Sequence, residues 1–404
     1  MKISVIGQGY VGATLSIVAA KAGHIVVGID NDQSKINDLK NGITSIPGLL
    51  EKEIKDLIKS KNYIPTSNPE SISKSNIIVI AVPTPLNQLR EPDMSFLESA
   101  CSTIALYAIE NTLIVNESTS YPGTLRNFIY PKIASLTQNK FHYAAAPERI
   151  DPGNASWNLN NTPRVIGGLT DFAEKTAIEF YSTFCNNVFT VSSPEAAEAS
   201  KLFENTFRQV NIALVNEFSK IAHKLDFSTH EAIRAASTKP FGYMPFYPSI
   251  GVGGHCIPID PTYLSYAANK FGFKAAFIDL SNRTNLEMIG YVADRIEEKM
   301  NGDLKNVKIQ LAGIAYKLDV DDLRESPALL LMEELRNRGS LVSWYDPIVG
   351  SKFPDGSEKL STDIDLGLIV TPHSAINFSS WQDSGIQVLD LSPTTKDYGW
   401  TKFL

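Results

Sequence analysis

Cysteine is scarce: Cys101, Cys185 and Cys256 are the whole complement in 404 residues. An odd number at wide spacing builds neither a disulfide framework nor a thiolate metal cluster, and it points to a reducing compartment. Positive charge is not in excess either, since 37 basic side chains face 44 acidic ones for a net charge of −7. That balance withholds the bulk field that binds nucleic acid or an anionic membrane, so neither is expected as a partner and any anionic ligand must be held locally. No uninterrupted apolar run reaches the ~18 residues that argue for a membrane span. The stretch from Met1 to Ala20 imitates a secretory signal, but Gly7, Gly9 and Gly12 interrupt it, and it reads instead as a strand followed by a helix. A cytoplasmic protein without a metal centre is the expectation.

What is present alternates. Short apolar runs at Ile3–Ile6, Ile25–Ile29, Ile77–Val82, Leu113–Asn116, Tyr143–Ala146, Val165–Gly168 and Val188–Val191 are separated by helical stretches. Strands alternating with helices predict a parallel sheet covered on both faces. From Glu195 to about Leu225 apolar residues recur at helical spacing (Leu202, Phe203, Val210, Leu214, Phe218, Ile221) with no Gly or Pro to interrupt them, which predicts one long amphipathic helix. Helical patterning resumes beyond Gly272 towards Met300, after a Pro/Gly-rich loop between Lys239 and Pro261. Strand and helix then alternate again, with strands expected at Val307–Leu311, Leu341–Trp344, Gly367–Val370 and Val388–Leu391. No Gly-rich turn matching the first is visible in this second block.

The first strand runs directly into Gly7-Gln8-Gly9-Tyr10-Val11-Gly12 and then a helix. In that context Gly7 serves the tight turn, Gly9 the approach of backbone to a pyrophosphate, and Gly12 close helix–strand packing, while the helix N-terminus attracts the phosphate charge. Asp30 ends the second strand, where a carboxylate accepts from ribose hydroxyls and repels a 2′-phosphate, so NAD is expected rather than NADP. The loops Val82–Pro85, with Pro83 and Thr84, and Ser118–Thr124 each follow a strand and should line the same crevice. The expected architecture is therefore α/β: two Rossmann-like α/β domains with parallel sheets, at 1–192 and 301–404, joined by a central helical domain with a long connecting helix at 193–300.

Gly251-Val252-Gly253-Gly254-His255-Cys256 is the most unusual segment. Glycines so dense build no core, but they let backbone amides close round a ligand and leave a thiol accessible. A thiol suits a carbonyl because its adduct can lose a hydride to give a thioester that water cleaves. A dehydrogenase that removes one hydride would not need it. Cys101 and Cys185 sit in apolar surroundings and read as small buried hydrophobes. Lys201, Asn205 and Arg208 fall on one face of the long helix. Asp260 lies close enough in sequence to influence the thiol, Glu148 is a candidate base for hydrolysis, and Thr119 could position the water.

Together these residues resemble the UDP-glucose/GDP-mannose dehydrogenase family. The likeness is carried by Gly7–Gly12, Pro83-Thr84-Pro85, Ser118-Thr119 with Pro122-Gly123-Thr124, Pro147-Glu148, Lys201 with Asn205, Gly253-Gly254-His255-Cys256 with Asp260, and Tyr316-Lys317 followed by Asp322, Arg324, Glu325, Ser326 and Pro327. The resemblance implies four-electron oxidation of a UDP-sugar C6 alcohol to the uronic acid, with NAD as cofactor, for surface polysaccharide precursors. Cys256 would be the nucleophile, Lys201 and Asn205 would stabilise oxyanions, Asp260 would assist proton transfer, and Glu148 and Thr119 would serve hydrolysis. NAD would be held by Gly7, Gly9, Tyr10, Val11, Gly12, Asp30, Lys35, Pro83, Thr84, Thr119 and Arg324. The sugar nucleotide would meet Glu148, Arg149, Ile150, Lys201, Asn205, Arg208, Tyr247, Gly251, Gly253 and Lys317, with Arg283 nearby. A homodimer through the central helix is also implied.

Within the family, Pro147-Glu148-Arg149-Ile150-Asp151-Pro152-Gly153, Lys239–Tyr243 and Cys256-Ile257-Pro258-Ile259-Asp260-Pro261 are most similar to the branch that oxidises UDP-N-acetylglucosamine. UDP-N-acetylmannosamine, UDP-N-acetylgalactosamine and UDP-glucose are the alternative substrates. A protein that keeps the NAD-binding fold but has lost turnover, acting as a sensor, is the remaining alternative.

Overall fold

A computed structural model describes residues 1–44, 46, 48–150, 154 and 156–404, and its contacts group the chain into two compact units. The first unit comprises Met1–Glu204 with Thr262–Phe273, and the second Asn205–Pro261 with Lys274–Leu404.

The first unit is built on an eight-stranded sheet. Its elements run β1 (Lys2–Ile6), α1 (Tyr10–Lys21), β2 (Ile25–Ile29), α2 (Gln33–Lys40), α3 (Glu51–Lys59), β3 (Tyr63–Thr66), β4 (Ile77–Ile80), α4 (Ser95–Tyr107), β5 (Leu113–Asn116), α5 (Tyr130–Leu136), β6 (His142–Ala145), β7 (Arg164–Gly168), α6 (Asp171–Tyr181) and β8 (Val188–Thr190). The strand order is β3-β2-β1-β4-β5-β6-β7-β8. Runs such as Ile77-Ile78-Val79-Ile80 are buried on both faces, as a parallel sheet between two helical layers requires. One apolar cluster lies on each side, around Leu15, Ile54 and Phe180 on one and around Ile72, Ile104 and Ile133 on the other.

Two departures from the expected pattern have simple causes. β7 runs antiparallel to β6, so the sheet is mixed at one pair. β3, which the alternation did not foretell, contains Pro65; it lies at the edge of the sheet, where a missing N–H costs no ladder bond.

The long helix is α7 (Pro194–Lys224), opening on a proline whose fixed φ suits a first helical position. The second unit adds α8 (Thr229–Ser237), α10 (Ala276–Leu286), α11 (Met288–Lys299), β9 (Lys308–Ala312), α12 (Pro327–Asn337), β10 (Leu341–Tyr345), β11 (Leu366–Ile369), α13 (Ser379–Ser384) and β12 (Gln387–Asp390), while α9 (Asp260–Lys270) follows the Gly-rich loop. Its four strands are all parallel, in the order β10-β9-β11-β12. Each expected strand of this block is present within a residue or two of its expected ends.

The second sheet does repeat the first turn, in a form the sequence hides. After β1, Gly7 has φ +94°, and a Cβ there would lie 2.4 Å from the Ala81 carbonyl oxygen. After β9, Gly313 has φ +81°, and a Cβ would lie 1.8 Å from the Thr371 oxygen. Asp30 after β2 accepts from the Gln8 amide at 2.8 Å, and Asp346 after β10 accepts from the Ile314 amide at 2.8 Å. The likeness escapes a motif search because α1 starts at Tyr10 whereas α12 starts only at Pro327, so no second or third glycine is needed. Asp346 is also engaged by buried His373 at 3.0 Å, so its carboxylate is spent inside the protein.

Candidate active site

In the first sheet the strand order reverses between β1 and β4, which opens the crevice where such sheets bind ligands. Gly7 passes beneath the loop after β4, and a Cβ on Gly12 would lie 1.9 Å from the Gly7 oxygen, so both positions exclude side chains. Gly9, by contrast, faces open space and no acidic residue lies in the first turn of α1. That is the cradle a pyrophosphate needs. Gln8, between the first two glycines, is fully buried and anchors the turn: its amide Nε2 donates to the Val5 oxygen, and its Oε1 accepts from Tyr63 at 2.8 Å. Lys35 sits beside Asp30, Nζ to Oδ2 2.9 Å, just past the end of β2. The two other loops of the crevice are joined by Ser118, whose hydroxyl accepts from the Val82 amide and donates to the Val82 oxygen, each at 2.9 Å. Thr84 is buried and its carbonyl accepts from Tyr263 on α9 at 3.0 Å; Pro83 is exposed and Thr119 half-buried.

Beyond the carboxyl ends of β5 and β6 lies a buried ionic cluster. Glu148 accepts the amides of Arg149 and Ile150 on one oxygen, at 2.7 and 2.6 Å, and Arg164 on the other at 2.6 Å. Burial alone would raise its pKa, but the charges of Arg164 and Lys201 and these hydrogen bonds outweigh burial and hold it below the ordinary glutamate range. A carboxylate that stays ionised while buried is suited to take a proton from water. Arg149 is itself bound by Glu204 at 2.6 Å and donates to the Pro163 oxygen. The rest of that sequence motif, Asp151, Pro152 and Gly153, lies outside the described residues.

In the second unit Cys256 is exposed at a turn that leads into α9, its carbonyl accepting the Asp260 amide at 2.8 Å. Asp260 is buried and accepts from Asn205 of α7 at 2.6 Å, so a helix side chain fixes the turn that bears the thiol. The glycines before it also have a packing role. A Cβ on Gly253 would meet Pro327, Tyr316 and the Glu325 oxygen within 2.9 Å, and one on Gly254 would meet the Tyr316 ring at 2.7 Å. They let the loop pack against protein, and the Gly254 amide donates to the Arg324 oxygen at 3.0 Å. Arg324 is paired to Asp322 and lies within electrostatic reach of Cys256. A cleft of about 60 Å³ opens between this loop and the carboxyl ends of β9, β11 and β12, lined by Gly251, Gly253, Tyr316, Pro327, Thr371 and Leu391. A larger cleft of about 300 Å³ lies between α7 and α8 and is lined mainly by apolar side chains, none of them a candidate for the chemistry.

Three segments match, in order, domains described for one family: the NAD binding domain of the UDP-glucose/GDP-mannose dehydrogenase family at residues 1–185, its central domain at 195–287 and its UDP binding domain at 310–390. The chain belongs to the UDP-glucose/GDP-mannose dehydrogenase family. It is an NAD-dependent UDP-sugar dehydrogenase, and the Gly9 cradle and the terminal Asp30 fit that cofactor.

Among relatives, the UDP-N-acetyl-D-mannosamine dehydrogenase of Pyrococcus horikoshii is 35% identical over 95% of this chain and 92% of its own length. The UDP-N-acetyl-D-glucosamine 6-dehydrogenase of Pseudomonas aeruginosa is 32% identical over 87% of this chain and 84% of its own. The solved UDP-D-ManNAc dehydrogenase structure from Pyrococcus horikoshii aligns with a TM-score of 0.88 at 32% identity, covering 100% of this chain and 98% of that one.

For this dehydrogenase the geometry unites some expected residues and separates the surroundings of others. Asn205 meets Asp260, and Gly253 and Gly254 meet the segment carrying Arg324; Lys201 lies one helical turn before Asn205 and Arg208 is exposed on the same helix. Tyr247 stacks on His230, ring centroids 5.4 Å apart, and Lys317 is half-buried in the loop after β9. Arg283 is exposed on α10 and approaches Glu287 at 3.8 Å. Sequence reasoning missed Arg164, which pairs with Glu148, and Glu117 and Tyr181, which face Arg164. The available signal was a glutamate directly after a short central strand, Leu113–Asn116. One consequence follows at the other end of the crevice: Asp30→Ala should lower kcat/KM for NAD about tenfold to a hundredfold, the weight of a hydrogen bond to a charged group. Because it also releases Lys35 towards a 2′-phosphate, steady-state kinetics should show NADP used relatively better.

Proposed function

We propose that the chain oxidises the C6 alcohol of a UDP-N-acetylhexosamine to the carboxylate, with Cys256 holding the sugar between two oxidations. The observation that supports this most is an exposed thiol on a turn fixed by the Asn205–Asp260 hydrogen bond. Gly7, Gly9, Tyr10, Val11, Gly12, Asp30, Pro83 and Thr84 would hold NAD, which when bound would supply the hydride acceptor for each oxidation. Cys256 Sγ bonds C6 at the aldehyde level, and oxidation of that adduct gives a thioester. Lys201 and Asn205 hydrogen-bond the oxyanions, and Asp260 assists proton transfer at the turn. Glu148 then takes a proton from a water positioned by Thr119, the hydroxide adds to the carbonyl, and the C–S bond breaks with Sγ leaving as thiolate. Arg149, Ile150, Arg208, Tyr247, Gly251, Gly253 and Lys317 are the proposed contacts to the sugar nucleotide.

The epimer at C2 divides the two readings. Motifs around Arg149 and Ile257–Pro261 favour the gluco sugar, while the relative from Pyrococcus horikoshii, with 35% identity over 95% of the chain, favours the manno sugar. Comparing kcat/KM for UDP-N-acetylglucosamine, UDP-N-acetylmannosamine, UDP-N-acetylgalactosamine and UDP-glucose tests the class: either of the first two should lead, and a clear preference for UDP-glucose would sink the acetamido assignment.

A homodimer through α7 is part of the same reading. Phe203, Leu214 and Ile221 of that helix are 67%, 64% and 46% exposed, and the 300 Å³ apolar cleft adjoins it. Sedimentation that finds only a monomer at working concentrations would contradict it. Among the described residues no helix is long and apolar enough to cross a membrane, and Cys101, Cys185 and Cys256 are free.

A further inference from the structure

Glu117 is 1% exposed, yet no step described above uses it. It shares a single guanidinium with Glu148. Arg164 Nη2 lies 2.6 Å from Glu148 Oε2, and its Nη1 lies 3.5 Å from Glu117 Oε2. The Arg164 guanidinium also covers the Tyr181 ring at 5.0 Å and donates to the Ala146 oxygen at 3.1 Å, so it is fixed from several sides. Two buried carboxylates face one buried cation, Arg164, with half-buried Lys201 the other positive charge within electrostatic reach; a single proton on one carboxylate neutralises the water-excluded part of the cluster.

The hydrogen bonds decide where that proton sits. Both oxygens of Glu148 are occupied by N–H donors, which favour the ionised form. Glu117 is poorer in donors. Its Oε1 accepts the Tyr181 hydroxyl, and its Oε2 makes no hydrogen bond beyond the 3.5 Å ion-pair approach of Arg164, so Glu117 has one hydrogen-bond donor where Glu148 has three.

We propose that Glu117 is a positioning residue for thioester hydrolysis: it holds the one proton that the Glu117–Arg164–Glu148 cluster needs, and so leaves Arg164 to Glu148 and keeps Glu148 ionised. This rests on the reading of Glu148 as the hydrolytic base. The groups that face Glu117 are Arg164 on β7, Glu148 after β6, Tyr181 on α6, Cys185 beyond it and Lys201 on α7; Glu148 favours the proton, while Arg164, the Tyr181 hydroxyl and Lys201 favour the ionised form. Burial, first, and then repulsion from Glu148 push the Glu117 carboxyl up, against the attraction of Arg164, to about 7. Above that pH a second negative charge enters the cluster, competes for Arg164 and opposes the oxyanion formed when water adds.

The test follows the decay of the acyl-enzyme on Cys256 by intact mass, with the full chain, NAD and whichever UDP-N-acetylhexosamine is turned over fastest. In the wild type, decay should slow about tenfold between about pH 6 and about pH 8.5, as a neutral acid becomes a charge. In Glu117→Gln, which is neutral at every pH and still accepts from Tyr181, that ratio should fall to within about twofold. Tyr181→Phe removes a donor to the charged form and should move the slowing to higher pH; it carries the test if the Gln variant does not fold. A Glu117→Gln profile that slows as the wild type does, or a Tyr181→Phe profile that does not move, overturns the role of Glu117. Rapid decay of the acyl-enzyme in Glu148→Gln would instead overturn the role of Glu148, which separates the two failures.

Discussion

Cys256→Ala is expected to abolish formation of the uronic acid, with turnover to the acid falling on the order of 10³-fold or more, the usual consequence of deleting a nucleophile. The reason is chemical. An alcohol can surrender one hydride without help, but an aldehyde presents no carbon–hydrogen bond of alcohol type until a nucleophile adds to it, and of the three thiols only that of Cys256 is exposed. Folding should survive the change, because the loop is held by other contacts: Gly253 and Gly254 against Tyr316, the Gly254 amide on the Arg324 oxygen, and Asp260 on Asn205. The variant should therefore keep its thermal transition and still bind UDP-sugar. Full acid formation by Cys256→Ala would remove the covalent step from the mechanism.

Glu148→Gln should act later in the sequence. With the amide in place of the carboxylate no group remains to take the proton of the attacking water, and hydrolysis should slow by about 10²–10⁴-fold, the span of general-base contributions. NADH should then appear in a burst, and intact mass should show the sugar nucleotide joined to Cys256 as a thioester. The substitution also leaves Arg164 without its closest carboxylate, so the burst amplitude is the informative quantity: a misfolded variant gives no burst, whereas an enzyme lacking only its base gives a full one.

The parts of this site that were legible in the sequence are those where backbone chemistry restricts residue type. Gly7 and Gly12 are read as a fingerprint because Cβ atoms there would strike the Ala81 and Gly7 carbonyls, and Asp30 because a strand end in this fold meets a ribose. The run from Glu195 towards Leu225 is read as one helix because nothing in it breaks a helical period, and α7 spans Pro194–Lys224. Less was legible where tertiary packing sets the role. Gly253 and Gly254 were read only for room beside a ligand, whereas the fold also packs Tyr316 against both and Pro327 against Gly253, residues far along the chain. Arg164 looks like the first residue of an ordinary strand, and only the fold brings Glu117 and Glu148 to its two ends. Gly313 and Asp346 repeat the roles of Gly7 and Asp30 without the spacing that defines the motif, since the loop up to α12 is long.

The most direct test of the central claim is the number of NADH formed per UDP-sugar consumed by the purified enzyme with excess NAD. Two NADH per sugar, with the uronic acid as the product, is the result that a thioester on Cys256 requires. One NADH per sugar, with an aldehyde released, would mean that Cys256 does not carry the substrate between oxidations.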